Sequence, residues 1–256
     1  MTKGRCRHGK ALNSTSNDGI GHRNRKTTER DKEMDIQVMY KLLTRMPLLQ
    51  GINGMELARI EERIGLQTEE LAASRYHFIT QGQPCREMVF LVGGTLARQM
   101  ISADGLYIAT ELCYSPMVIE ADKLYGLSCV YGSSYRPTVD CQLIRISKKQ
   151  VGDHLLKSDI FRLNYMNMLS AIIQRQQARL QPTKPATPGE KICRFIAGCF
   201  AHDQGEKQLQ IKMTDLAEYI SETRLTVSSQ LNQMASEGII HLKRKEITIP
   251  DLTRLK

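Results

Sequence analysis

From Lys149 to Leu180 the chain runs without a proline, and it then enters "QPTKPATPGE", residues 181–190, which packs three prolines and a glycine into ten residues. Apolar residues recur every three or four positions along the proline-free run. That spacing predicts one long helix, and the proline-rich stretch forces it to stop. The helix carries two adjoining apolar stripes. Met166, Leu169, Ile173 and Leu180 form one, and Tyr165, Met168 and Ile172 the other. Both need cover. One can face the preceding domain and the other a second copy of the chain, which makes Tyr165, Met166, Leu169, Ile172, Ile173 and Leu180 the candidate dimerisation residues.

Ahead of this helix, from about Ala73 to Lys148, the apolar period shortens. Short runs are broken at Gly82-Gln83-Pro84, Gly93-Gly94 and Ala103-Asp104-Gly105, the last a hairpin-type turn between "TLARQMI" and "LYIATELCY". "SCVYGSSYRP" and "PTVDCQLIRIS" follow. Closely spaced strands with glycine turns predict an antiparallel roll or barrel. From Asp35 to about Leu71 the pattern is helical, with a proline-led turn in "PLLQGINGMELARIEERI" and Leu57, Ile60 and Ile64 on one side. Residues 1–33 lack apolar periodicity and read as a disordered basic tail, with Met34 as an alternative start of translation.

Behind the hinge, "EKICRFIAGCF" predicts a compact helix with Ile192, Phe195, Ile196 and Phe200 inward, and "HDQGEKQLQIKM" a turn and a short strand. "TDLAEYISETRLTVSSQLNQMASEGII" then reads as two helices joined by a tight turn. Thr214 is taken as N-cap of the first, with Leu216 and Ile220 inward and small Ala217 permitting close approach. Thr223 caps the second. Val227, Leu231 and Met234 share its inner face at i, i+4 and i+7. Leu225, Ser228, Ser229, Asn232 and Ser236 point away from that face, Arg224 lies beside them at the helix start, and Gly238 ends the helix. Thr214, Thr223 and Thr226 join Arg224, Leu225, Ser228, Ser229 and Asn232 as candidate DNA-contacting residues. A small, hydroxylic face with an arginine at its N-terminal end suits a DNA major groove. Lys243-Arg244-Lys245 at the tip of a following hairpin can reach a phosphate.

Net charge is +9, and the first 33 residues hold five of those charges, while residues 34–152 are neutral. The balance permits a polyanionic partner without requiring one. No run of about 18 apolar residues marks a membrane span. The N-terminus lacks the apolar core of a secretory signal, so the expected location is cytoplasmic. Seven cysteines, none in a C-x-x-C pair, read as free thiols rather than as a disulfide framework or zinc site. Neither catalytic motif nor metal-ligand spacing is present, so no enzyme is expected.

The order of parts, with "TRLTVSSQLNQMASEGII", "ITIPDLTRL", "ITQGQPCREMVFLVGGTL" and "CQLIRISKKQV", resembles the Crp/Fnr superfamily of transcription regulators over about residues 36–254. The resemblance implies an α+β chain. Residues 34–152 would be a double-stranded β-helix or jelly-roll sensor of the cyclic-nucleotide-binding type, 153–181 a dimerisation helix, and 182–256 a winged helix-turn-helix. It implies a homodimer on double-stranded DNA, with RNA polymerase as a further partner. By position Arg224 would contact a guanine or nearby phosphate, Ser228 the reading face and Thr226 the backbone. Leu225 and Ser229 replace a family glutamate and arginine, which points to a different operator.

The effector is left open. Cyclic-AMP members hold the phosphate with an arginine, but that place falls near Tyr131 here. Arg136 comes several residues late, and Glu120 opens no G-E-x-G. Cyclic AMP is therefore not expected. Cys6 stands alone in the tail, so an iron–sulfur cluster is not expected either. A haem would have to draw on His77, His154, Cys85 or Cys113. The competing function is a cytosolic ligand-sensing or interaction module that uses the winged helix for protein contacts.

Overall fold

The computed structural model describes residues 41, 43–180, 187–203 and 205–255. The tail 1–33 and most of the 181–190 hinge lie outside them. Helix α1 (Gly54–Ile64) starts where the Asn53 side chain accepts the Glu56 N–H (2.9 Å) and stops at Gly65, which is left-handed at φ 66°. It buries Leu57 and Ile60. The expected helical pattern up to Leu71 is corrected: Thr68–Leu71 is strand β1, paired antiparallel with the strand Cys141–Ser147. Once Gly65 ends the helix, alternation is the only way for Leu71 to reach the core.

Strands β2 (Glu87–Gly93), β3 (Thr95–Ile101), β4 (Tyr107–Tyr114), β5 (Met117–Ile119), β6 (Ser134–Pro137) and β7 (Cys141–Ser147) complete the roll. One sheet runs β1-β7-β2-β5. The other begins β6-β3-β4, with Leu96 opposite both Cys113 and Pro137. The turn between β2 and β3 needs Gly94. Its φ is 93°, and a Cβ there would stand 2.7 Å from the Asp140 carbonyl oxygen and from Cys141 Sγ. Phe90, Leu91, Leu96, Tyr135, Leu143, Ile144 and Ile146 centre the roll's core.

The single helix expected from Lys149 to Leu180 is two. Helix α2 (Lys148–Asp153) begins in a capping box formed by Ser147 and Gln150. A 3₁₀ turn at Leu155–Lys157 follows, and Ser158 is extended before α3 (Asp159–Leu180) starts. Ser158 restarts the helix by accepting the Phe161 N–H (3.4 Å). The break lets both Leu155 and Phe161 reach the roll's core, and with no proline or glycine from 154 to 158 the apolar spacing concealed it.

The C-terminal part is α4 (Pro188–Cys199), β8 (Lys207–Ile211), α5 (Met213–Tyr219), α6 (Arg224–Ser236), β9 (His241–Lys243) and β10 (Glu246–Ile249) around a second core of Ile192, Ile196, Phe200, Leu209, Leu216, Val227, Leu231 and Ile249. Strand β8 pairs on one side with β10 and on the other with β4 of the roll, Tyr107 to Ile211 through Glu111 to Lys207. The second sheet therefore runs β6-β3-β4-β8-β10-β9 across both parts of the chain. Among the described residues no helix is long and apolar enough to cross a membrane.

Candidate nucleic-acid interface

Helices α5 and α6 are joined through Ile220–Thr223. Ser221 takes φ 55°, and the Glu222 N–H reaches the Ala217 carbonyl (2.9 Å), which closes the turn. Lys191 of α4 pairs with Glu222 (2.6 Å) and fastens that turn to the domain. Thr223 is extended, and its hydroxyl accepts the Thr226 N–H (3.1 Å), so the cap of α6 is as expected. Thr214 is not a cap. Lys212 precedes the helix in extended geometry, α5 starts at Met213, and Thr214 lies exposed within its first turn, bonded to Asp215 (2.9 Å). Strand β8 ends at Ile211, so the cap position falls on Lys212, two residues earlier than the threonine suggested.

Val227, Leu231 and Met234 are buried, and this fixes which way α6 faces. Arg224, Ser229 and Asn232 are exposed, Thr226 and Ser228 half-buried, and Leu225 is 81% exposed. A leucine that open is an apolar contact surface without an intramolecular cover. Glu237 closes the helix. Gly238 follows at φ 68°, with the Ile239 N–H on the Met234 carbonyl (3.0 Å). At the β9–β10 hairpin Lys243, Arg244 and Lys245 are all exposed, Lys245 at φ 62°; among the described residues only Lys243 of the three has an ion-pair partner, Glu246 at 3.5 Å. The structure thus brings the α6 N-terminus and a basic hairpin tip to the surface of one small domain.

On α3, the expected dimerisation residues divide. Tyr165 is corrected: it is buried, and its hydroxyl donates to the Ala121 carbonyl (2.7 Å), so it belongs to the roll. Leu169 packs against the roll's core, and Ile172 lines a cavity. Met166 (56%) and Ile173 (53%) stand exposed, as does Leu163 (55%), which the stripe assignment missed. Leu163, Met166 and Ile173 sit at i, i+3 and i+10 and share a face. The side chain of Leu180 lies outside the described residues.

The cavity holds about 470 Å³ between roll, α3 and α4, with Arg98, Glu120, Tyr135, Ile172, Arg175 and His202 in its lining. Glu120 accepts the Gly132 N–H (2.6 Å) and the Tyr135 hydroxyl (3.1 Å). Tyr131 is buried, and Arg136 is exposed on β6. Arg98, Lys123, Arg175 and Arg179 are the lysines and arginines of the lining, and Arg98, the one on the roll's β3, was passed over by sequence reasoning. It pairs with Glu111 directly across the β3–β4 hairpin at 2.6 Å and lies 3.9 Å from Glu120. Burial alone would raise the Glu111 carboxyl, but the His202 ring, Arg98 and the Ala201 N–H hold it near about 2. Cys113 lies 3.8 Å from the His202 ring, and burial pushes its thiol up to about 12. Cys85 is bonded to the Glu87 carbonyl. The described residues bring no three His, Cys, Asp or Glu side chains into a metal-binding group, and their six cysteines are free.

Residues 190–256 match the family of the Crp-like helix-turn-helix domain. Solved structures align with most of the chain. The Thermus thermophilus catabolite activator protein is 15% identical at a TM-score of 0.44, over 82% of this chain and 96% of its own. The c-di-GMP-responsive global regulator CLP of Xanthomonas campestris is 16% identical at 0.44, over 77% and 99%. The sensor domain of the regulator DNR from Pseudomonas aeruginosa is 18% identical at 0.47, over 59% and 99%. No curated protein matches.

Proposed function

We propose, from the match of residues 190–256 to the Crp-like helix-turn-helix domain, that the chain is a sequence-specific, DNA-binding transcription regulator of the Crp/Fnr type that acts as a homodimer. The observation that carries the reading is the outer face of α6. Arg224, Leu225, Ser229 and Asn232 are presented to solvent beside a basic wing, on a helix whose opposite face is locked into the domain's core. Arg224 supplies a forked donor for a guanine edge, Leu225 a surface for thymine methyls, and the α6 N-terminus and Lys243–Lys245 supply phosphate contacts. Dimerisation along α3 through Leu163, Met166 and Ile173 places two such readers on one duplex. RNA polymerase is the further partner of this reading, and the cavity beside Arg98 is its sensing part.

The test is a mobility-shift titration on genomic fragments recovered by footprinting, repeated across salt concentrations. A steep fall in affinity with salt supports the regulator. Salt-independent capture of a protein, with no duplex bound, supports an interaction module instead.

A further inference from the structure

Two apolar cores meet along the β3–β4 hairpin. Met100, Tyr107 and Ala109 pack with the core of the C-terminal domain, while Leu96 and Cys113 pack with that of the roll. Strand β4 therefore serves the reader with its first half and the roll with its second. Ala109, Glu111 and Cys113 follow one another on its buried face. The changeover falls at Glu111, where apolar contact gives way to charge.

Glu111 is 1% exposed and Lys207 is 0% exposed, and they face each other across the β4–β8 pairing with Nζ and Oε2 3.3 Å apart. The carboxylate also accepts the N–H groups of Ala201 (3.1 Å) and His202 (3.2 Å), has the His202 ring at 3.4 Å, and takes Arg98 from its own sheet at 2.6 Å. Arg98 and Glu111 belong to the roll; Lys207, Ala201 and His202 belong to the reader. Among the described residues, one carboxylate thus gathers Arg98, Lys207, the His202 ring and two backbone N–H groups at the junction.

We propose that this junction is a releasable latch: the reader is docked on its own sensor by strand addition, Glu111 keys it there, and loss of that key lets the reader come away as a folded unit. Three observations support release rather than permanent union. Each part has its own apolar core, so neither needs the other to bury most of its side chains. The groups at the centre are charged, so they regain hydration on separation, which offsets part of the broken pairing as an apolar junction would not. Beyond the short β4–β8 ladder and the apolar contacts of Met100, Tyr107 and Ala109 at one end of it, the ties named across the junction are single hydrogen bonds, from Tyr219 to Asp104, Arg175 to the Ala201 carbonyl and Arg179 to the Phe200 carbonyl. Arg98, Ala201 and His202 also line the cavity, so whatever enters it and engages Arg98 acts on the key itself. This holds whatever the reader binds.

Amide hydrogen exchange on the full chain tests it. Glu111→Gln keeps the shape and removes the charge. Exchange at those amides of Tyr107–Glu111 and Lys207–Ile211 that bond across the β4–β8 pairing is expected to rise by at least about a hundredfold, while the amides bonded between β8 and β10 and those of α6 keep their protection. Cross-linking the facing pair Thr110–Gln208 through T110C and Q208C in the Glu111→Gln chain is expected to restore slow exchange at both strands. Wild-type exchange in Glu111→Gln would overturn the proposal, because the carboxylate would then hold nothing. Faster exchange spread through α4, α5 and α6, or unrestored by the cross-link, would overturn it too, because the strands would then be one inseparable core.

Discussion

Thr223 and Thr226 meet hydroxyl to hydroxyl at 2.8 Å across the first turn of α6, and Thr223 also takes the Thr226 N–H. The turn is closed on itself, and Arg224 leaves the helix directly from this fixed start. Arg224→Ala is expected to weaken specific DNA binding by ~1–3 kcal/mol. Arg224→Lys keeps the charge and loses the fork, so specific binding falls while binding to random duplex stays. Competitive mobility shifts distinguish the two, and equal weakening on both duplexes would reassign Arg224 to the backbone.

The wing carries three exposed cations at a hairpin tip. Replacing Lys243, Arg244 and Lys245 with alanine is expected to flatten the dependence of log affinity on log salt by ~0.9 for each phosphate that is no longer neutralised. A slope equal to that of the unaltered chain places the wing away from DNA.

Leu163, Met166 and Ile173 are the uncovered apolar residues of α3, whereas Tyr165 is spent on the roll. Met166→Glu with Ile173→Glu is expected to yield half the wild-type mass in sedimentation equilibrium. Tyr165→Phe is expected to leave the mass unchanged and lower stability by about 1 kcal/mol, because the hydrogen bond to the Ala121 carbonyl is gone. If instead Tyr165→Phe dissociates the dimer, the interface lies on the other stripe.

Glu111 titrates near about 2 in the folded chain, below its ordinary value of 4.5. A depressed carboxylate contributes stability that is fully present above the unfolded value and is lost as pH falls through the folded one. The expected contribution is on the order of 3 kcal/mol, disappearing between pH 5 and pH 2. Denaturant melts across that range are expected to steepen in their pH dependence for the wild type relative to Glu111→Gln. Parallel curves would show that Glu111 is not the linked group.

Gly94 leaves no room for a side chain and stands at φ 93°. Gly94→Ala is expected to destabilise the roll by more than about 1 kcal/mol, read as a lower denaturation midpoint, because both the strain and the clash fall on backbone. Gly105→Ala, at φ 73° in open space, carries only the strain and is the milder change.

The reader was legible because its signals are local. A threonine cap, a 3.6-residue apolar period and a left-handed glycine each act within a few residues, and Val227, Leu231, Met234 and Gly238 behave accordingly. Local signals also misled where two of them competed. Thr214 looked like a cap beside Lys212, and Leu155 and Leu156 continued a helical period through a real break. Tyr165 and Met166 sit one position apart, and only the tertiary structure decides which of them the roll consumes. Arg98 opposite Glu111 could have been found by counting outward from the Ser102–Gly105 turn, since hairpin register is set by the turn. The pairing of β4 with β8 could not, because it joins strands almost a hundred residues apart and rests on no local pattern.

That pairing bears on what happens when the two parts are separated. Strand β8 has partners on both sides, β4 and β10, so neither of its edges is open while the parts are together. Parting them opens two edges at once, each a ready template for a foreign strand. Glu111 sits on the inward face of one and Lys207 on the inward face of the other. An inward charge makes misplaced pairing costly for any apolar stranger, while the two native edges neutralise each other. The residues that join the halves are thus also the ones that guard each half against aggregation when it stands alone.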